Sequence, residues 1–174
     1  MQTRAWRPGD NNALEELLQQ QCAEDLRWPP QYARQQNLLD WLSAPADLHR
    51  WICHKNNQVV GHIGLGTPGV NPLELYHAAI DQPEARFAEL CRTVVHPHYR
   101  KAGVAAQLTR VAIKAALNDK CIPVATVLTS RRGWLQQMLT SGWVEVGRLP
   151  AIAADECLVC LLPPAKFIDA VSSK

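Results

Sequence analysis

The sequence predicts an α/β fold: a single domain with a central mixed sheet of about seven strands flanked by about four helices. Three observations predict it. Short runs of strand formers alternate with segments whose apolar residues recur at helical spacing. The chain has 174 residues, which suits one domain with a sizeable core. Its composition, 47% hydrophobic and 20% charged, is that of a globular chain rather than a disordered one.

The elements follow in order. Thr3 to Arg7 reads as a first strand, ended by Pro8-Gly9. Asp10, Asn11 and Asn12 offer helix caps, and Leu14, Leu17, Leu18 and Cys22 then fall on one helical face. Trp28-Pro29-Pro30 breaks that helix, and Tyr32 to Leu42 predicts a second. Arg50 to His54 and Gln58 to Leu65 read as a hairpin turning on Asn56-Asn57, since Asn tolerates positive φ. Residues 67–85 carry Pro68, Gly69, Asn71, Pro72 and Pro83, which predicts a long, partly irregular connection. Phe87 to His96 is the strongest strand. From Gly103 to Leu117 the stripe Val104, Leu108, Val111, Ala112 and Ala115 predicts a long helix. Ile122 to Leu128 is a strand. Thr129 or Ser130 can cap a helix with Trp134, Leu135, Met138 and Leu139 facing inward, and Ser141-Gly142 stops it. Trp143 to Val146 and Glu156 to Leu161 are the last strands. The domain is expected over 1–165, with 166–174 a loosely held tail.

Bulk properties exclude several functions. A net charge of +2 gives no reason to expect nucleic acid as a partner. No run approaches the ~20 apolar residues of a membrane span, and the polar start lacks a signal-peptide core, so a cytoplasmic protein is expected. The six cysteines lie mostly in apolar patterns and are expected as free thiols. Cys157 and Cys160 lack the second pair of a structural zinc site. The six histidines show no helical metal-ligand spacing, so no metal is expected. Edge strands invite pairing, which makes a homodimer an expectation.

The sharpest feature is the turn Val95-His96-Pro97-His98-Tyr99-Arg100-Lys101-Ala102-Gly103-Val104-Ala105. A strand feeds a polar loop that ends in small residues where a helix starts. A helix start carries unpaired N–H groups and partial positive charge, so it suits a phosphate-bearing ligand that no side chain blocks. Arg100 and Lys101 add charge. A solvated basic loop capped by a glycine is the plainer alternative. No Gly-Lys-Ser/Thr is present to support a nucleotide site.

The stretch from Phe87 to Leu108 resembles the central motif of the GNAT superfamily of acetyl-CoA-dependent N-acetyltransferases. In that motif an Arg or Gln precedes a Gly by three residues, and a Gly or Ala follows two later; here these are Arg100, Gly103 and Ala105. The resemblance is strong over residues 87–117 and weaker over nearly the whole chain. It implies acetyl-CoA as co-substrate and a primary amine, on a small molecule or a protein, as acceptor. It implies that Arg100, Lys101, Ala102, Gly103, Val104 and Ala105 form the cofactor loop, with the N–H groups of Lys101, Gly103, Val104 and Ala105 on the pyrophosphate. Thr93, Val94 and Val95 would pair their backbone with the pantetheine arm, and an N–H near Thr93 would stabilise the oxyanion. Residues 124–128 would splay away to admit CoA.

An alkyl amine of pKa about 10.4 must lose a proton before attack. Glu89 is the candidate base, sharing a face with Cys91, Thr93 and Val95 if the strand alternates without a bulge. A role for Glu89 in pairing with Arg92 or ordering a water is the competing reading. The family often has a Tyr as acid five residues before the aromatic of a Gly-aromatic pair. Here the pair is Gly142-Trp143 and that position holds Met138, which has no proton to give. The Asn often found earlier in that helix is replaced near Arg131. Tyr99, Tyr76 and His77 are substitutes without a place, or the thiolate leaves unaided. These departures keep open a second function, a non-catalytic acyl-CoA-binding sensor. Residues 27–32 and 66–86 are the segments expected to shape the acceptor pocket.

Overall fold

The computed structural model describes residues 1–24, 37–43, 49–151 and 156–172. Seven strands form one mixed sheet in the order β1-β2-β3-β4-β5-β7-β6. They are β1 (Gln2–Ala5), β2 (His49–Lys55), β3 (Gln58–Gly66), β4 (Phe87–Val95), β5 (Ile122–Leu128), β6 (Val144–Pro150) and β7 (Cys157–Leu162). Six α-helices lie among the described residues: α1 (Asn11–Glu24), α2 (Leu38–Ser43), α3 (Val70–Ala79), α4 (Val104–Asn118), α5 (Arg132–Thr140) and α6 (Ala165–Ser172). The β4–β5 pairing is parallel, while β1–β2, β2–β3, β5–β7 and β6–β7 are antiparallel.

The chain divides into two compact units. The first comprises Met1–Gly66 and Cys91–Ala112. Its core gathers Leu14, Leu17 and Leu18 of α1, Trp41 and Leu42 of α2, Ile52, Val59 and Val94. The β2–β3 hairpin turns as expected on Asn56 (φ 49°) and Asn57 (φ 61°). Arg4 clasps Asp10 at 2.6 and 2.8 Å, and Asp10 accepts the Arg7 N–H at 2.8 Å, which fixes the entry into α1. Gly61 of β3 lies against the start of α4. A Cβ there would meet Val104 Cγ1 at 2.6 Å and Leu108 Cδ1 at 2.9 Å. The missing side chain is what lets α4 seat its first turn on the sheet.

The second unit comprises Thr67–Leu90 and Ile113–Lys174. Tyr76, Ile80, Phe87, Ile122, Val124, Cys160 and Leu162 form its core. Two features here go beyond the sequence reading. Residues 67–85 are partly irregular as expected, but 70–79 form a helix, α3. Pro72 lies in the first turn, where its missing N–H costs nothing, and the Leu73 N–H closes on the Gly69 carbonyl at 3.0 Å. Residues 165–172 are not a loose tail. Helix α6 places Ile168 and Val171 against the core of this unit. The cap of α5 also differs. Thr129 Oγ1 accepts the Cys157 N–H at 3.1 Å rather than capping, and Arg131 precedes the helix with no side-chain cap. Gly142 (φ +87°) ends α5 as expected.

Candidate functional site

In the first unit the candidate site is the β4-to-α4 turn. After Val95, Pro97–Tyr99 make one 3-10 turn and α4 begins at Val104. His96 is buried and organises the turn. Its N–H donates to the Val60 carbonyl at 2.9 Å, and its Nδ1 accepts the His98 N–H at 3.2 Å. Burial, then the nearby His98, pushes the His96 pKa down, consistent with a neutral acceptor ring. The Arg100 N–H bonds Pro97 and the Ala102 N–H bonds Tyr99. Among the described residues, the N–H groups of Lys101, Gly103, Val104 and Ala105 donate to no turn or loop carbonyl. Helical geometry leaves the last two without a partner as well, since the first intrahelical donors come a turn later.

The approach to these donors is open. Lys101, Ala102 and Gly103 are exposed. Gly103 has φ +80°, and a Cβ on it would meet nothing within 4 Å. Lys101 also has positive φ, 62°. Adjacent left-handed and right-handed residues turn successive N–H groups toward one concavity, a shape suited to an anion. Arg100 reaches toward α1. Its Nη2 donates to Gln21 Oε1 of α1 at 3.0 Å, tying the loop to that helix. Tyr99 stands with its ring edge on His96 and Lys55 Nζ 4.9 Å from its centroid. A shallow groove of about 390 Å³, lined by Gln20, Glu24, Gln58 and His98 among others, runs beside the turn.

Strand β4 holds a feature that composition concealed. Arg92 has φ 50° in mid-strand. The extended backbone is therefore interrupted, and period-two alternation does not carry from Glu89 and Cys91 across to Thr93 and Val95. The shared face expected for those four residues does not follow. The Arg92 carbonyl is bonded by His62 Nδ1 of β3 at 3.0 Å, and the Arg92 guanidinium lies 5.4 Å from the Trp41 ring centroid.

The second unit holds a separate group of candidate residues. Glu89 of β4 accepts a hydrogen bond from the Thr126 hydroxyl of β5. The two strands pair from Phe87↔Ile122 to Leu90↔Ala125, and Ala125 to Leu128 pair with β7. Tyr76, left without a place by the sequence, is fully buried, and its hydroxyl donates to the Ala125 carbonyl at 3.0 Å. Burial first, then the charge of Glu89, holds its pKa well above the usual phenol value. That proton is committed, so Tyr76 is a poor acid. His77 is exposed and sets its ring edge on Phe87, centroids 5.0 Å apart. Met138 is buried in α5. Of the two segments expected to shape an acceptor pocket, 27–32 lies outside the described residues, and so do the opening residues of the expected second helix. The other, 66–86, contains α3.

None of the six cysteines is in a disulfide. Among the described residues no group of three or more His, Cys, Asp or Glu could hold a metal ion, and no helix is long and apolar enough to cross a membrane.

Comparison with known proteins agrees with this layout. The sequence profile of the Acetyltransferase (GNAT) family matches residues 11–133. The chain belongs to the GNAT family of acetyltransferases. No curated protein matches it. Among solved structures, this GNAT chain is similar to an N-acetyltransferase from Staphylococcus aureus Mu50, with TM-score 0.64, 16% identity and coverage of 92% of this chain and 95% of that one. It is similar to an aminoglycoside 6'-N-acetyltransferase complexed with coenzyme A, with TM-score 0.63, 16% identity and coverage of 92% and 95%. It is also similar to the ribosomal-protein-S18-alanine N-acetyltransferase of Escherichia coli, with TM-score 0.61, 13% identity and coverage of 94% and 92%. At these identities the likeness concerns the fold. The GNAT motif of this chain falls in the turn before α4, where the structure exposes small residues and leaves backbone donors without loop partners.

Proposed function

We propose that this GNAT chain transfers an acetyl group from acetyl-CoA to a primary amine by direct attack. The observation that carries the reading is the open α4 start, with four N–H groups at Lys101, Gly103, Val104 and Ala105 facing no protein carbonyl in the loop. Such a start takes a pyrophosphate through backbone donors and the helix dipole. The residues fit the group, since the open space at Gly103 would otherwise hold a side chain. Lys101 adds charge, Arg100 and Ala102 brace the loop, and Thr93, Val94 and Val95 offer extended backbone to the pantetheine arm.

When bound, acetyl-CoA supplies an activated acyl carbonyl. Glu89, oriented by the Thr126 hydroxyl, receives the proton that the amine loses as its nitrogen forms the new C–N bond. The Thr93 N–H donates to the carbonyl oxygen as negative charge grows there. The C–S bond breaks, and the thiolate leaves without help from Met138 or Tyr76; its moderate pKa permits that.

The test is release of free thiol from acetyl-CoA in the presence of a panel of amines, compared between the wild type and Glu89→Gln. Amine-dependent release that the substitution suppresses supports the proposal. The buried Met138 and the committed Tyr76 proton favour a second reading, a non-catalytic acyl-CoA-binding protein. Tight binding with no amine-dependent release across the panel would favour it.

A further inference from the structure

A left-handed non-glycine residue inside a strand is strained and persists only where its surroundings over-determine it. Arg92 is such a residue, with φ 50° in β4. The group that grips it is His62, which is fully buried on the neighbouring strand β3. His62 Nδ1 stands 3.0 Å from the Arg92 carbonyl oxygen. A carbonyl only accepts, so the ring must carry its proton on Nδ1. Among the described residues Nε2 is buried without a hydrogen-bond partner, which suits the bare nitrogen of a neutral ring. Among those residues the polar contact of the side chain is to the strained peptide.

In a planar trans peptide the C=O of one residue and the N–H of the next point in opposite directions. Holding the Arg92 carbonyl toward His62 turns the Thr93 N–H the other way. We propose that His62 is a positioning residue: by fixing the Arg92–Thr93 peptide plane it aims the Thr93 N–H at the acyl carbonyl of the bound thioester. This rests on the acetyl-CoA reading above and adds to it the side chain that orients the donor. A donor misaimed by a fraction of an ångström loses much of its worth, since its effect depends on pre-set direction. The neutral ring also matters. Burial and the charges of Arg50 and Arg92 hold the His62 pKa down to about 4, so the grip is uncharged and constant at neutral pH.

The experiment uses infrared difference spectra of acetyl-CoA labelled with carbon-13 at the acetyl carbonyl, bound to the wild type, His62→Asn and His62→Leu. The Asn amide nitrogen stands close to the place of Nδ1 and keeps a donor there; Leu removes it. The carbonyl stretch is expected to fall on binding to the wild type and to His62→Asn, and to stay near its solution frequency on His62→Leu. Affinity for CoA without the acetyl group is expected to change less than about threefold, since the α4 start is untouched. An equal fall on His62→Leu overturns the inference and leaves the function standing. So does a fall lost in both variants alike. Absence of acetyl-CoA binding by the wild type removes the proposed function, and the inference with it. Nitrogen-15 spectra of the wild-type histidines give a reading that needs no variant to fold: an Nε2–H tautomer at His62 would overturn the inference at once.

Discussion

Replacing His62 with Asn should flatten the acid side of the stability curve. In the folded protein the ring is buried and neutral, with a pKa down to about 4 against an ordinary value of 6.5. Below pH 6.5 the unfolded chain takes up this proton and the folded chain does not. Stability therefore falls as pH falls through 6.5, and this contribution stops changing once the folded ring protonates below about 4. The full window corresponds to roughly 3 kcal/mol, and about 2 kcal/mol of it is lost by pH 5. His54 and His96 are also held below their usual pKa, chiefly by burial, but they are present in both proteins and cancel in the difference. The assay is urea unfolding at pH 7.5, 6 and 5, with the slopes of both proteins compared. The wild type should lose about 2 kcal/mol more than His62→Asn between pH 7.5 and 5. Equal losses would refute the reasoning, because His62 would then be titrating alike in both states.

Gly61→Ala should destabilise the fold by about 1–3 kcal/mol and lower Tm by several degrees in a thermal scan, because its Cβ would stand 2.6 Å from Val104 Cγ1. Glu89→Gln should reduce turnover by about 10²–10⁴-fold while calorimetry finds CoA affinity unchanged; turnover at the wild-type rate at neutral pH would remove Glu89 from the mechanism. Tyr76→Phe should cost about 1–2 kcal/mol in urea unfolding, through loss of the bond to the Ala125 carbonyl, and leave kcat near its original value. A large fall in kcat would instead make Tyr76 the acid that Met138 does not supply.

The parts of this fold that sequence reasoning reached are those where local chemistry decides. Asn56-Asn57 names its own turn, Gly142 its helix end, and the Val104, Leu108 and Ala112 stripe its buried face. The α4 start was legible for the same reason, since small residues at a strand-to-helix turn have few other uses. Helix α3 is hidden in the sequence because Pro72 reads as a breaker, although in a first turn it is tolerated. Helix α6 was missed because its pairing of Ile168 and Val171 with the core is a tertiary fact. The left-handed Arg92 had no signal at all. Arginine is not a residue that invites positive φ, and the grip that sustains it comes from His62, thirty positions away in the chain. Gly61 did carry a signal, a glycine inside a strand of buried residues, which marks close backbone approach. The Thr126 partner of Glu89 follows from the parallel pairing of β4 with β5, and sequence does not give that register.

The central claim, that the turn before α4 holds acetyl-CoA, is tested most directly by calorimetric titration of the purified protein and of Gly103→Trp with acetyl-CoA. Because a Cβ at Gly103 meets nothing within 4 Å, the bulky side chain fills the approach without displacing the core. The positive φ of +80° adds strain on the order of 1–2 kcal/mol, which a parallel unfolding curve will register. The account predicts wild-type binding with Kd on the order of micromolar and its loss in a Gly103→Trp variant that remains folded. No binding by the wild type, or equal binding by the folded variant, would contradict it.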